Sequence, residues 1–99
     1  MGDLDISVQA VGAPLGALTL SATAKEIAAT LVNRVSAVIE LAAFDGSGVP
    51  VDFQWASTAA GTYARAMAGT LRLPVVNGQK WYVKEGATAA ASLQVRCAG

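Results

Sequence analysis

Apolar and polar residues alternate with a period of two along most of this chain, a pattern that predicts strands with one buried face. In Leu4–Ala10 the apolar side chains occupy the even positions and the polar ones the odd positions. A last strand is predicted over residues 90–98, where Leu93, Val95 and Cys97 point inward and Gln94 and its neighbours point to solvent.

Two short turn sequences divide the middle of the chain into what the pattern predicts to be hairpins. Asp45–Gly48 joins the runs SAVIELAAF and VPVDFQWAS, and Asn77–Gly78 joins LRLPVV to QKWYVKEG. Asn-Gly is favoured in type I′ turns because both central residues need a positive φ. Pro50 follows the first turn and cannot donate a ladder hydrogen bond, so its strand should lie at an edge or begin there.

Residues 23–40 are compatible with two structures. Thr23 and Glu26 resemble a capping box, and four apolar residues could line one helical face: Ile27, Leu31, Val35 and Val38. Thr and Val recur in this segment, however, and β-branched side chains lose rotamer freedom in helices but suit sheets. We predict two strands broken near Asn33–Arg34, with a short helix as the alternative.

Strands with turn signals about every 8–12 residues are typical of small sandwiches and barrels. The sequence therefore predicts one all-β domain over residues 1–99, a small antiparallel β-sandwich or barrel of about seven short strands. Gly12 and Pro14 set residues 1–14 apart, so this segment is predicted to be an extended N-terminal arm or an exchanged strand.

Charge and composition add expectations about which partners the domain binds and whether it self-associates. The formal net charge is zero and 14% of residues are charged, so neither nucleic acid nor an anionic membrane is expected as a partner. Hydrophobic residues make up 54% of the chain and the mean hydropathy is +0.46. A small domain cannot bury all of this surface, which predicts a homo-oligomer.

Catalytic chemistry is poorly represented. The chain has no histidine, and Cys97 is its single cysteine, predicted to be a small buried hydrophobe. Asp45, Asp52 and Glu40 could supply a glycosidase carboxylate pair, and DGSG resembles part of a calcium loop, but a hairpin turn explains DGSG better. We expect no enzyme, no cofactor and no metal.

The segment around Trp81 combines aromatic and basic residues, as a binding ribbon would. Strand parity, however, places Trp81 beside Val83 and leaves Tyr82 with Lys80 and Lys84, a poor stacking platform. Trp81 is therefore predicted to lie in the core, and Tyr82 at the surface or in an interface. The predicted interface residues are Tyr82, Tyr63, Arg65, Ile6 and Val8.

Three stretches together resemble small structural proteins of tailed bacteriophages: LTLSATAKEI, VSAVIELAAF and TLRLPVVNGQKWYVKEGATAAASLQVRC. The resemblance covers the last two-thirds of the chain. It is carried by an aromatic–apolar–basic run at Trp81–Lys84, then a glycine and small residues, then an apolar–x–apolar–Arg run at Leu93–Arg96.

The resemblance implies a virion component, and the lack of long Gly-rich or heptad segments favours a capsid decoration (cement) protein over a fibre shaft. Its expected partner is the major capsid protein, and the local threefold sites of a capsid make a trimer the expected homo-oligomer. Its expected location is the capsid surface, after synthesis in the bacterial host cytoplasm, since no secretory signal or membrane span is visible. The alternative is a carbohydrate-binding or receptor-binding module, in a head fibre or tail adhesin, that uses Trp55 or Tyr63 as a sugar platform.

Overall fold

The computed structural model describes residues 2–87 and 92–99, and the described residues form ten strands and no helix. The strands are β1 (Leu4–Val8), β2 (Pro14–Leu18), β3 (Lys25–Leu31), β4 (Ala37–Phe44), β5 (Pro50–Val51), β6 (Phe53–Ala56), β7 (Ala64–Ala66), β8 (Thr70–Val75), β9 (Lys80–Glu85) and β10 (Ser92–Cys97).

These strands form two five-stranded sheets. Sheet I has the order β1-β3-β9-β6-β7, and sheet II has the order β2-β10-β4, with β8 and β5 sharing the other edge of β4. All pairings are antiparallel except that of β1 with β3. The predicted all-β class and sandwich architecture are confirmed. The described residues have ten strands instead of about seven, partly because the run VPVDFQWAS is split into β5 and β6 where the chain passes from sheet II to sheet I.

The core lies between the two sheets and is made by the alternating side chains of their inner faces. Its largest fully buried side chains come from both sheets: Phe53, Ile6, Ile27, Ile39, Leu41 and Leu93. Trp81, predicted to be core, is buried and packs edge-on against Trp55, with ring centroids 5.6 Å apart. Cys97 is completely buried, as predicted.

Residues 23–40 form two strands, as predicted, and the helical alternative is wrong. Ile27, Ala29 and Leu31 are buried at every second position of β3, which is the period of a strand. The chain breaks at Asn33, whose φ is +57°, a left-handed conformation that Asn tolerates better than most residues.

The hairpin predicted at Asn77–Gly78 is wrong. β8 pairs with β4 in sheet II, whereas β9 lies between β3 and β6 in sheet I. A type I′ turn needs a positive φ at both Asn77 and Gly78. Gly78 has φ +83°, but among the described residues Asn33 is the only non-glycine residue with a positive φ, so the turn is not type I′. Instead the Gly78 N–H donates to the Ala29 carbonyl at 2.9 Å, so the turn is tied to β3 and connects two sheets.

The hairpin predicted at Asp45–Gly48 is confirmed, but it is short. β4 and β5 pair over two positions, Ala43 with Val51 and Phe44 with Pro50. The chain then leaves sheet II at Asp52 and continues in sheet I as β6. Pro50 lies at the start of β5, the edge position that the sequence predicted.

Residues 2–18 contribute a strand to each sheet of their own chain. β1 pairs with β3, the chain crosses at Gly12 (φ +85°), and β2 then pairs with β10. In this chain the segment is therefore not a free arm, although exchange of β1 with a neighbouring copy stays a prediction. Residue 1, together with 90 and 91 of the predicted last strand, lies outside the described residues.

Candidate functional site

The outer face of sheet I brings together three of the five predicted interface residues. Tyr82, on the central strand β9, donates its hydroxyl hydrogen bond to Glu26 Oε1 at 2.9 Å. This bond to a carboxylate raises the pKa of Tyr82 above its ordinary value, because it favours the protonated phenol. Lys80 Nζ lies 3.6 Å from the same Glu26 oxygen.

Tyr63 and Arg65 lie on the other side of this face, around β7. The Lys84 ammonium stands 4.3 Å from the centre of the Tyr63 ring, a cation–π contact. Arg65 binds Asp52 Oδ2 through two guanidinium nitrogens, at 2.8 and 2.9 Å. The polar groups of the sheet I face are thus used in bonds to one another, so a ligand there would have to break those bonds.

Ile6 and Val8 do not join this surface. Both are buried, with exposed fractions of 2% and 0%, because the alternation of β1 directs them between the sheets. Their place in an interface therefore stays a prediction, and it requires that β1 be exchanged with a neighbouring copy. The two predicted sugar platforms, Trp55 and Tyr63, are both half-buried: Trp55 packs against Trp81, and the Tyr63 ring is covered by Lys84.

The three carboxylates considered for catalysis are dispersed. Asp45 Oδ1 accepts the backbone N–H groups of Ser47 and Val49 and shapes the first turn. Asp52 binds Arg65 at the sheet crossing, and Glu40 lies on the outer face of sheet II. Among the described residues, no three acidic, cysteine or histidine side chains lie close enough together to hold a metal ion.

A groove of about 630 Å³ lies on the outer face of sheet II. Its floor is a row of mostly short side chains that face one another across four strands: Ala17, Gln94, Ala42 and Thr70. Half-buried Phe44 lies two residues beyond Ala42 on β4, towards the turn at Asp45, and stands on one side of this row.

A second row of residues lies on the other side of this floor, where Glu40 and Arg96 line the groove and Arg72 lines a neighbouring depression that shares those two residues. Arg96, Glu40 and Arg72 lie opposite one another on β10, β4 and β8. Arg72 Nε is 3.3 Å from Glu40 Oε2, whereas the Arg96 guanidinium group makes no hydrogen bond or ion pair with any described residue. We call this row the arginine row.

Sequence reasoning missed the groove. The alternation that points Gln94 and Arg96 outward also points Glu40, Ala42 and Phe44 outward, and that signal was readable. The order β2-β10-β4-β8, which aligns these residues side by side, depends on long-range pairings that the turn sequences did not predict.

Neither a scan against protein-family models nor a search of curated proteins found a match to this chain. Within the described residues, no helical segment has the length and apolar character that crossing a bilayer requires.

Proposed function

We propose that this chain is a non-enzymatic structural protein of a phage virion, a decoration protein that binds and stabilises the capsid surface. Its partner is then the major capsid protein, and it reaches the capsid after synthesis in the host cytoplasm. The observation that carries the proposal is the outer face of sheet II, a preformed groove beside the arginine row, on a scaffold with one well-packed core.

A rigid scaffold suits a protein whose task is to bind. The inner faces of both sheets are filled by buried side chains, and no described buried side-chain nitrogen or oxygen lacks a hydrogen-bond partner. Binding through a preformed face therefore requires little ordering, and low ordering costs favour affinity. The sequence resemblance to tailed-phage structural proteins supplies the biological setting.

Self-association, as a trimer, belongs to the same proposal. Five large apolar side chains are exposed among the described residues: Val11, Val35, Val49, Met67 and Val76. The strand pairings place Val11, Val35 and Val76 on loops at the same end of the sandwich. An uncovered apolar end favours contact with further copies around a symmetry axis.

The test is co-sedimentation of the purified chain with tailed-phage heads, with and without their own decoration proteins. We expect the chain to pellet with undecorated heads up to a saturating ratio and to be excluded from decorated ones. Light scattering coupled to size-exclusion chromatography should show a trimer. A monomer at every concentration that also stays in the supernatant with both kinds of head would refute the proposal.

A carbohydrate-binding or receptor-binding module is the second candidate, and the volume of the groove favours it. About 630 Å³ falls within the range of small-ligand sites, and Gln94, Glu40 and Arg96 could orient a sugar beside Phe44. A glycan array distinguishes the two functions, because binding of a defined sugar without binding to heads would support the module.

A further inference from the structure

We propose that the groove on sheet II binds an extended, acidic segment of the partner protein, with the segment's carboxylates on Arg96 and Arg72. The inference deepens the proposed function and rests on it, since it names the chemistry of the capsid segment that the decoration protein would hold.

The charge of the arginine row is the first argument. Two guanidinium groups stand on either side of one carboxylate, so the row has an excess of one positive charge. Arg72 uses Nε towards Glu40, which leaves its other nitrogens available, and the Arg96 guanidinium group has no partner among the described residues. A guanidinium group matches a carboxylate in charge and can bind it through two parallel hydrogen bonds.

The shape of the groove is the second argument. Glu40 and Phe44 stand four residues apart on β4, which separates their Cα atoms by roughly 14 Å. Neighbouring extended backbones pack about 5 Å apart, so one extended backbone can lie along the floor between these two side chains. Ala17 and Ala42 keep the floor low enough for a backbone to approach the sheet.

The central carboxylate decides what kind of acidic partner fits. Glu40 would repel a continuous line of phosphates, and the chain as a whole is neutral, which disfavours a nucleic acid. An extended peptide carries spaced carboxylates. It also has backbone N–H groups, which can donate hydrogen bonds to the side-chain oxygens of Glu40, Gln94 and Thr70. The arginine row, in which two positive charges flank one negative charge, therefore favours an acidic peptide over a nucleic acid.

The probe is a synthetic peptide of alternating alanine and glutamate, because alternation places all carboxylates of an extended chain on one side. Peptides with lysine or glutamine in place of glutamate are its controls. Binding is measured by calorimetry, and the groove is located from the amide NMR shifts of Gln94 and Ala42. We expect only the glutamate peptide to bind and its affinity to fall with added salt.

Arg96→Gln and Arg72→Gln should each weaken peptide binding by about 1.4- to fivefold, the range for an exposed ion pair. Lys80→Gln is the matched control, since it removes the same charge from the outer face of sheet I and should leave binding unchanged. All three residues are exposed, and circular dichroism verifies that each variant is folded.

The two proposals fail in different ways. Retention of head binding by both arginine variants, together with no binding of the glutamate peptide, would overturn the groove inference and leave the decoration function standing. Peptide binding that the arginine variants weaken, without any sedimentation with heads, would overturn the decoration function and leave the groove. A defined sugar that shifts Gln94 and Ala42 while the peptide does not would overturn the peptide inference.

Discussion

The turn at Asp45–Gly48 and the turn at Val76–Gln79 have similar local chemistry and different structural roles. Each contains a glycine with φ near +80°, at Gly48 and Gly78, and each uses an Asx side chain as a hydrogen-bond acceptor. The first turn closes a hairpin within sheet II, whereas the second carries the chain from sheet II to sheet I.

The hydrogen bonds of the two turns explain the difference. Asp45 accepts from Ser47 and Val49, so the first turn is completed by its own residues. Asn77 Oδ1 instead accepts from the N–H of Leu31, 46 residues away, at 3.3 Å. Turn chemistry thus specifies that the chain reverses, but not which strand the returning segment will pair with.

The largest effect on stability is expected on β9, the strand that follows the second turn and contributes Trp81 to the core. Trp81→Ala should lower the free energy of unfolding by about 3–5 kcal/mol, because it empties a core site and removes the edge-on contact with Trp55. It also removes the indole N–H that donates to the Pro74 carbonyl at 3.1 Å, a link between β9 and β8. Chemical denaturation measures the loss.

Trp81→Phe keeps an aromatic ring but loses the N–H and the second ring of the indole, so we expect a loss smaller than that of Trp81→Ala, with about 1 kcal/mol from the hydrogen bond and the rest from the atoms removed. Val49→Ala, next to the first turn, is the matched control because Val49 is exposed, and it should change little. An unchanged melting temperature for Trp81→Ala would mean that Trp81 is not a core residue.

The next effect concerns the crossing at Asp52, which limits the first hairpin to two pairs. A Cβ added at Gly86 would collide with the Asp52 carboxylate and push it away from Arg65. Gly86→Ala should therefore lower the free energy of unfolding by about 1–3 kcal/mol, the range for overpacking.

Gly46→Ala is the control for Gly86→Ala, since a Cβ at Gly46 meets nothing within 4 Å and its φ is not positive. That substitution should be neutral or slightly stabilising. Equal losses for the two variants, measured by urea denaturation, would show that Gly86 is not held against Asp52.

A smaller effect distinguishes a local from a distant hydrogen bond. Asp45→Ala should lower the free energy of unfolding by about 1 kcal/mol, and Asn77→Ala by about 0.5 kcal/mol, since one weaker bond is lost. Hydrogen exchange should speed up at the Ser47 and Val49 amides in the first variant. In the second it should speed up at Leu31, and faster exchange confined to residues 76–79 would contradict the link to β3.

The smallest effect concerns the titration of Tyr82, which lies on β9 in sheet I. Glu26→Gln should lower the pKa of Tyr82 towards its ordinary value, because the bond to a charged carboxylate is lost. The raised pKa in the folded state means that this bond stabilises the fold fully below the ordinary tyrosine pKa. The stabilisation disappears as pH rises through the folded-state pKa.

Tyrosinate absorbance follows this titration. The control is Glu85→Gln, which removes a carboxylate from β9, the strand of Tyr82, instead of from β3. We expect Glu85→Gln to leave the Tyr82 titration unchanged. An identical titration in wild type and Glu26→Gln would show that Tyr82 and Glu26 are not bonded across β3 and β9.

The sequence by itself determined the local properties of this protein: strand character, the inward or outward direction of each side chain, and the places where the chain turns. Ile27, Trp81, Leu93 and Cys97 are buried as their alternation predicts, because the period of a strand is a property of adjacent residues. The tertiary structure alone decided the partners of those strands.

Strand pairing depends on contacts between residues far apart in the chain, and many pairings satisfy the same alternation. The transfer of β9 to sheet I, the burial of Ile6 and Val8 and the alignment of Arg96, Glu40 and Arg72 all follow from such pairings. The outward direction of the groove residues was thus readable from the sequence. Their assembly into one groove required the packing of the two sheets.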